Sequence, residues 1–360
     1  MSSSTQTGKP SLRVVAIGGG TGLSTLLRGL KLYVAAPTAA RRTTDAIPLG
    51  NADPHPDSHP ADLPCLIRDL AAIVTVTDDG GSSGRLREEL NMLPPGDIRN
   101  CMVALSEDEL LLARLFQYRF HHGDLEGHSF GNLFLAALSD ITGDFAQAVQ
   151  MSSQILAARG RIYPATNTDV TLTALMDDGT IVHGETHITA STRRIVELKL
   201  VPADAKPLPA ALEAIANADL ITLGPGSLYT SLVTNMLVRG IPEAIAASHA
   251  TRVYVGNLMT QANESLGLSA SQHLEIILRH CATNGSHICD YALINTAPIS
   301  PTLLERYARG GQAPIEPDLD RIRSLGVEPI SGDFALEGNL LRHDPDRVTQ
   351  ALLALALNRP

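Results

Sequence analysis

The chain has 360 residues, 44% of them hydrophobic and 18% charged, so it can bury a large core and disorder throughout is excluded. Its formal net charge of −10 and the lack of a long Lys/Arg stripe argue against nucleic acid as a partner. No apolar run approaches the ~20 residues that cross a bilayer, so we expect a cytoplasmic protein without membrane insertion.

The first predicted elements surround a glycine-rich turn. Residues 1–11 carry no apolar pattern and are expected to form a disordered tail. Residues 14–17 predict a buried strand, and leucines at helical spacing from Leu23 to Leu30 predict a helix. The turn between them contains Gly18, Gly19, Gly20, Thr21 and Gly22.

The glycine turn predicts a phosphate site, because backbone N–H groups at the start of a helix attract anions. The dinucleotide fingerprint is incomplete, since Leu23 or Thr25 stands where its third glycine belongs. NAD binding is therefore the weaker interpretation. A turn that only connects a strand to a helix is a further alternative.

A polar insertion separates this helix from the second strand. Residues 37–64 are rich in Pro, Asp, Ser and Thr and show no apolar period. Beyond them, a strand around Ile73 to Val76 is predicted to end at Asp78 and Asp79, completing a right-handed βαβ unit. Neighbouring strand residues point to opposite faces, so at most one of the two carboxylates faces a ligand. It would hold a ribose hydroxyl or Mg²⁺, or cap the following turn.

Three motifs at helix starts add candidate binding groups. "GSSGRLR" contains Ser82 and Arg85, and the guanidinium of Arg85 would bind a phosphate or carboxylate. "PPGDIRN" contributes Asp97, and "GHSFGNL" contributes Asn132. Their structural alternatives are N-capping by Asp97 and backbone hydrogen bonding by Asn132.

The second half of the chain begins with a different pattern and then returns to strand, turn and helix. Two β-prone runs around Asp178-Gly179 predict a β-hairpin. Two polar loops follow later strands, and their candidate residues are Gly224, Gly226, Ser227, Asn257, Thr260 and Gln261. Ser227 is the expected N-cap of the next helix. Because loops at the carboxyl ends of parallel strands share one edge, they predict a single crevice, suited to a nucleotide or nucleotide sugar.

Catalytic and metal motifs are not evident in the sequence. The four cysteines, Cys65, Cys101, Cys281 and Cys289, are expected to be buried thiols rather than disulfide or zinc partners. His183 and His187 share a face of a predicted strand, where a surface role is favoured over metal binding. No nucleophile elbow or Walker A lysine is found, so binding is predicted over catalysis, with no required cofactor.

Together these patterns predict an α/β fold. We expect a Rossmann-like, doubly wound, mostly parallel sheet with an inserted β-hairpin region, in a single domain over residues 12–360. A homodimer is the default oligomer for such a protein.

Six long motifs, in chain order, carry a family resemblance: "AIGGGTGLSTLLRGLK", "IVTVTDDGGSSGRLR", "PPGDIRNC", "HSFGNLFLAAL", "LGPGSLYTSLVTNMLVRGIPEAI" and "VYVGNLMTQANES". They closely resemble the bacterial gluconeogenesis factor family (YvcK-type proteins), which is related in fold to 2-phospho-L-lactate transferase. The resemblance implies a cytoplasmic regulator that binds UDP-sugars such as UDP-N-acetylglucosamine. It also implies a role in cell shape and wall synthesis during gluconeogenic growth, with a cell-wall or metabolic protein as partner.

The resemblance leaves a second function open. The related transferase implies Mg²⁺ on Asp78 and Asp79, a guanosine nucleotide and a deazaflavin acceptor, so a phospho-acyl transferase is the enzymatic alternative. Arg306 in "LLERYARGG" is an expected phosphate contact. Relatives tend to carry a tyrosine where this chain has Leu268, which bears on the identity or affinity of the ligand. The insertion at 37–64 is longer than expected of the family.

Overall fold

The computed structural model describes residues 11–35, 64–106, 111–281 and 287–358. The tail predicted at 1–11 and the insertion predicted at 37–64 lie outside these ranges, apart from Ser11 and Pro64. The described strands are β1 (Leu12–Gly18), β2 (Ile67–Val74), β3 (Arg161–Pro164), β4 (Thr171–Met176), β5 (Ile181–His183), β6 (Ile195–Val201), β7 (Leu220–Leu223), β8 (Thr251–Val255), β9 (Tyr291–Asn295), β10 (Glu328–Gly332), β11 (Ala335–Leu336) and β12 (Arg342–His343).

The helices flank and connect these strands. They are α1 (Gly20–Lys31), α2 (Gly81–Leu90), α3 (Gly96–Leu105), α4 (Leu111–Gln117), α5 (Phe130–Thr142), α6 (Phe145–Ile155), α7 (Glu185–Ala190), α8 (Pro209–Ala216), α9 (Thr234–Met236), α10 (Ile241–Ala247), α11 (Ala270–His280), α12 (Pro301–Arg309), α13 (Leu319–Ser324) and α14 (Pro345–Leu357). A π-helix spans Leu228–Val233 directly before α9. None of the described helices is long and apolar enough to cross a membrane.

Seven strands form the central sheet, in the order β10-β9-β8-β7-β1-β2-β3. Every neighbouring pair in it is parallel. The chain starts in the middle at β1, extends outward through β2 and β3, and then returns to the other side of β1 with β7. This confirms the predicted doubly wound α/β fold and places its switch point between β1 and β7.

The core lies around β1 and α1, as the apolar spacing predicts. Val14 to Ile17 in β1 are buried, as are the leucines of α1 between Leu23 and Leu30. Full burial of each such side chain stabilises the fold by about 1.5–3 kcal/mol. Gly29 lets α14 approach α1, because a Cβ at Gly29 would lie 2.4 Å from the carbonyl oxygen of Pro345.

A second, three-stranded antiparallel sheet has the order β5-β4-β6. Its β4-β5 turn has Gly179 at φ +83°, which confirms the hairpin predicted at Asp178-Gly179. The strand β6 extends this hairpin and was not predicted. Neither was β3 at the edge of the central sheet.

Two predictions about local structure were wrong. The second strand ends at Val74, so Asp78 and Asp79 lie in the loop before α2 and not at the end of a strand. The predicted strand through His183 and His187 ends at His183, because Gly184 has a φ of +88° that disfavours extension, and His187 lies in α7. Of the four cysteines predicted to be buried thiols, Cys101, Cys281 and Cys289 are buried, whereas Cys65 is exposed, so the prediction was wrong there.

Candidate functional site

A crevice opens at the switch point of the central sheet, where an α/β fold places its ligands. It lies between the turn after β1, the turn after β7, the loop after β8, the end of α12 and the segment 340–343, and its volume is about 390 Å³. We call it the switch-point crevice. Nine predicted residues line it: Gly19, Gly20, Thr21, Gly22, Gly226, Ser227, Asn257, Thr260 and Gln261.

The two glycine turns touch each other across the crevice floor. A Cβ at Gly22 would lie 2.7 Å from the carbonyl oxygen of Pro225. A Cβ at Gly19 would lie 2.7 Å from Cγ2 of Thr75. A side chain at Gly22 would push the two backbones apart, and one at Gly19 would collide with the side chains of Thr75 and Asp97. The glycines therefore serve close backbone approach as well as any ligand.

The first turn already holds an anion, and it comes from the protein. Asp97 Oδ2 accepts a hydrogen bond of 2.7 Å from the backbone N–H of Gly20. Asp97 lies in the first turn of α3, whose N-cap is Pro95, so it is not the N-cap of its own helix. The Gly20 amide is thus not available to a phosphate. The N–H groups of Thr21 and Gly22 remain among the orphan donors of the first turn of α1.

Asp97 belongs to a group of acidic side chains behind the turn. Burial, together with the charge of Asp78, raises the pKa of Asp97 to about 6, although the bond from Gly20 opposes the shift. Burial likewise raises the pKa of Glu185 well above its ordinary value, and the charges of Asp97 and Asp78 add to the effect. Glu185 Oε2 accepts a hydrogen bond of 2.9 Å from the hydroxyl of Thr77.

The Asp78-Asp79 pair separates into two different roles. Asp78 Oδ1 accepts a hydrogen bond of 3.0 Å from the N–H of Gly80, so it caps the following turn. Asp79 Oδ1 accepts bonds from the N–H and the hydroxyl of Thr186, at 2.7 and 2.6 Å. Asp79 therefore binds α7, the helix that follows β5, whereas Asp78 Oδ1 bonds within its own turn. Within the described ranges, no three His, Cys, Asp or Glu side chains are arranged to hold a metal ion.

A carboxylate also binds the backbone N–H groups that follow the second glycine turn. Gly224 has a φ of +85° and leads into Pro225, Gly226 and Ser227. Glu264 Oε1 accepts hydrogen bonds from the N–H groups of Tyr229 and Thr230, at 2.9 and 2.8 Å. Ser227 is the N-cap residue of the π-helix, as predicted, but its side chain makes no capping hydrogen bond, because Glu264 occupies the amides of Tyr229 and Thr230.

The polar side chains of the crevice are held by one another. Ser227 Oγ accepts a bond of 3.0 Å from Gln261 Nε2, and Asn257 Nδ2 donates to the carbonyl of Gly226 over 2.8 Å. Thr260 Oγ1 accepts from the N–H of Ala313 over 2.9 Å. The oxygens Asn257 Oδ1 and Gln261 Oε1 are buried and have no hydrogen-bond partner among the described residues. Two residues of the crevice lining thus each carry a buried, unsatisfied acceptor.

Sequence reasoning missed one wall of the crevice. Tyr307, Gln312, Arg342 and His343 line it together with Leu340 and Leu341. The hydroxyl of Tyr307 accepts a hydrogen bond of 2.9 Å from the N–H of Leu341, which ties this segment to α12. The only signal in the sequence was the pair Arg342-His343 directly before the Asp344-Pro345 start of α14.

Arg342 and His343 differ in what they offer a ligand. Arg342 is exposed, and within the described part of the chain no acidic side chain forms an ion pair with it. His343 Nε2 donates to the carbonyl oxygen of Gly256 over 3.0 Å. Burial lowers the pKa of His343 to about 4, so the ring is neutral at pH 7. Arg342 therefore supplies the positive charge of this wall.

Several predicted residues lie outside the crevice lining. Ser82 Oγ accepts from Asn132 Nδ2 over 3.1 Å and lies 3.0 Å from His128 Nδ1, forming a buried network between α2 and α5. Arg85 donates to the carbonyl of Glu126 over 2.7 Å. Arg306 donates to the carbonyl of Asn339, and its neighbour Tyr307 faces the crevice instead. The carbonyl of Gly18 accepts from Asn235 Nδ2 over 3.0 Å.

Leu268 lines a different cavity from the glycine turns. That cavity lies beside β6 and α11 and also contains Tyr229, Glu264 and Arg279. A different side chain at position 268 would therefore alter this second cavity and leave the lining of the crevice unchanged.

Comparisons with known proteins agree with this architecture. Residues 14–335 match the family model described as 2-phospho-L-lactate transferase CofD. A gluconeogenesis factor of Halalkalibacterium halodurans is 46% identical over 342 residues, which is 94% of this chain and 95% of the relative. The gluconeogenesis factor of Bacillus subtilis is 41% identical over 345 residues, covering 95% of this chain and 98% of the relative.

A solved structure gives the same result. The crystal structure of a member of the UPF0052 family from Bacillus halodurans superposes with a TM-score of 0.84 at 46% identity. It covers 96% of this chain and 99% of the solved chain.

Proposed function

This chain belongs to the CofD family and is related to gluconeogenesis factors over nearly its whole length, and we propose that it is a regulatory protein that binds UDP-sugars in the switch-point crevice. UDP-N-acetylglucosamine is the proposed ligand. The proposed role is to adjust cell shape and wall synthesis during gluconeogenic growth, in the cytoplasm, as a homodimer with a cell-wall or metabolic protein as partner.

The observation that carries this proposal is the pair of unpartnered amide oxygens in the crevice. Asn257 Oδ1 and Gln261 Oε1 are buried without a hydrogen-bond partner among the described residues. A buried acceptor left unsatisfied costs about 1–3 kcal/mol, so a ligand that donates to it recovers that cost. The hydroxyl groups of a ribose or sugar and the ring N–H of uracil are donors of this kind.

The charges in the crevice suit a diphosphate. The N–H groups of Thr21 and Gly22 lie at the start of α1, where the helix dipole favours negative charge. Arg342 faces the same space from the opposite wall. Since Asp97 occupies the amide of Gly20, Arg342 carries more of the phosphate interaction than a free glycine turn would require.

A second candidate function is phospho-acyl transfer from a nucleotide-activated donor with Mg²⁺. The observation that favours it is the acidic group of Asp78, Asp97 and Glu185, in which burial, together with the charges of neighbouring acids, raises the pKa values of Asp97 and Glu185. Asp78 would hold the ion, and Asp97 would keep the turn of α1 in place. A bound Mg²⁺ would neutralise charge on the phosphates.

The first experiment is a calorimetric titration with UDP-N-acetylglucosamine, UDP-glucose, GDP and NAD, with and without Mg²⁺, followed by product analysis. The regulator is supported if a UDP-sugar binds and is recovered intact. Preference for GDP, or metal-dependent consumption of a ligand, would favour the transferase. NAD binding above the others would overturn both.

Variants then test the site itself. Arg342→Ala and Gln261→Ala should each weaken UDP-sugar binding about tenfold, because each removes about 1.4 kcal/mol of interaction. Arg309→Ala, at an exposed arginine of α12 outside the crevice lining, is the matched control. Equal affinities for all three variants would place the ligand elsewhere.

A further inference from the structure

A cavity of about 560 Å³ lies on the other side of the segment that follows Gln261. It is bounded by the residues before and at the start of β6, by Tyr229, by the segment 262–268 and by α11. We call it the arginine pocket, after Arg193, Arg194 and Arg279 in its lining. Its volume is within the range of small-molecule sites and exceeds the 390 Å³ of the switch-point crevice.

Two of the three arginines are unengaged by carboxylates. Arg193 forms an ion pair with Asp178, with Nε and Oδ2 separated by 3.3 Å. Arg194 and Arg279 form no ion pair with any acidic side chain of the described residues. Guanidinium groups bind carboxylate and phosphate oxygens through paired N–H donors. Arg194 and Arg279 are therefore suited to share one anion.

Two of the three acidic side chains in the lining already bind other groups of the protein. Glu275 forms an ion pair with Arg321, with Oε1 and Nη2 separated by 2.8 Å. Glu264 Oε1 accepts the two amides at the start of the π-helix. Asp177, next to the hairpin turn, is the remaining acidic side chain of the lining.

The floor of the pocket is apolar, and one buried polar atom adjoins it. Ile195 and Ile276 are buried, Leu268 is half-buried, and the ring of Tyr229 is 2% exposed. Tyr229 donates its hydroxyl hydrogen to the carbonyl of Ile195 over 3.3 Å. Glu264 also lines the pocket, and its Oε2 is buried with no hydrogen-bond partner among the described residues.

The arrangement combines an apolar surface, two unengaged guanidinium groups and one unsatisfied carboxylate oxygen. We propose that the arginine pocket is a second ligand site, which binds a small amphipathic anion. Its carboxylate or phosphate lies between Arg194 and Arg279, and its apolar portion packs on Ile195, Leu268 and Ile276. Glu264 Oε2 accepts a hydrogen bond from a hydroxyl or N–H group of the ligand. This inference does not rest on the nature of the ligand in the switch-point crevice.

The test uses fluorine NMR of the full chain with three small probes. The probes are 4-fluorophenyl phosphate, 4-fluorophenylacetate and the neutral 4-fluorobenzyl alcohol. We expect at least one of the two anions to bind at least tenfold more tightly than the alcohol, and the stronger of the two identifies the preferred anion. Excess UDP in the sample should not displace it, because the two cavities have separate linings.

The variant Arg194→Ala/Arg279→Ala should weaken anion binding at least tenfold. Both side chains are exposed, so the double variant should keep the urea midpoint of the parent protein. Arg342→Ala, in the other cavity, should change anion binding less than twofold. The proposal is overturned if neither anion binds, if the double variant binds as well as the parent, or if UDP or Arg342→Ala removes the signal. Displacement by UDP, or loss of the signal in Arg342→Ala, would show that the probe binds in the switch-point crevice. That outcome would leave the function proposed for the crevice unaffected.

Discussion

The two turns that meet at the switch point look alike in sequence, yet their surroundings differ. Each is glycine-rich, follows a buried strand and leads into a helix, and each has its helix amides bound by a distant carboxylate. Asp97 closes the first turn beside two other acids, Asp78 and Glu185. Glu264 closes the second turn beside a pocket lined by arginines. Two similar glycine turns therefore have different surroundings: acidic side chains lie beside the first turn, and arginines lie beside the second.

This difference shows that a glycine turn before a helix does not by itself identify a phosphate site. The amides that a phosphate would need are already satisfied at Gly20, Tyr229 and Thr230. The proposal of a binding site in the crevice depends instead on the polar groups without a partner, namely Asn257 Oδ1, Gln261 Oε1 and the charge of Arg342.

The largest expected effect concerns the acidic side. The pKa of Asp97 rises from 3.8 to about 6, so the native state binds this proton more tightly than the unfolded chain does. Stability should therefore fall as the pH rises from 3.8 toward 6, and the loss persists above that range. Asp97→Asn removes the titration, and its stability relative to the parent should rise by about 3 kcal/mol over this range.

The measurement is urea unfolding at several pH values between 4 and 8. Asp320→Asn, at a fully exposed side chain, controls for the loss of a carboxylate at the surface. A stability difference between Asp97→Asn and the parent that stays constant with pH would show that Asp97 carries no such penalty.

The second largest effect on stability is expected for Glu264, at the turn beside the arginine pocket. Glu264→Ala leaves the buried N–H groups of Tyr229 and Thr230 without an acceptor, so it should lower the free energy of unfolding by at least about 2 kcal/mol. Glu264→Gln keeps one acceptor oxygen and should lower it less. The comparison of the two variants by urea unfolding separates hydrogen bonding from charge.

Glu243→Ala is the matched control for Glu264. Glu243 is exposed and accepts the N–H of Gly240 at the start of α10 over 2.8 Å, which is the same role at the surface. Glu243→Ala should lower the free energy of unfolding by about 1 kcal/mol or less, since water replaces the carboxylate there. If Glu243→Ala and Glu264→Ala lower stability equally, burial of the second turn is not what makes Glu264 important.

These predictions also show what the sequence contains and what it does not. The strand before Gly18, the leucines of α1 and the hairpin at Gly179 depend on neighbours close in the chain, so apolar spacing and turn residues were sufficient to predict them. The carboxylate of Asp97 is 77 residues away from Gly20, and Glu264 is 34 residues beyond Thr230. Which acid closes which turn depends on packing between distant segments, and so does the position of Arg342.

Ser227 gives the smallest effect and distinguishes the predicted role from the observed one. If the side chain of Ser227 capped the π-helix, Ser227→Ala would lower the free energy of unfolding by about 1 kcal/mol. In the structure its Oγ accepts only the Gln261 side chain, which lines the switch-point crevice. We therefore expect Ser227→Ala to leave the urea midpoint nearly unchanged and to weaken UDP-sugar binding a few-fold, because Gln261 loses its hydrogen-bond partner.

Ser129→Ala is the control for Ser227→Ala, since Ser129 Oγ does accept the N–H of Asn132 over 3.2 Å at the start of α5. That variant should lose stability and keep its ligand affinity. Loss of stability in Ser227→Ala equal to that in Ser129→Ala would indicate that the Ser227 side chain does cap the helix, and it would remove Ser227 from the proposed binding site.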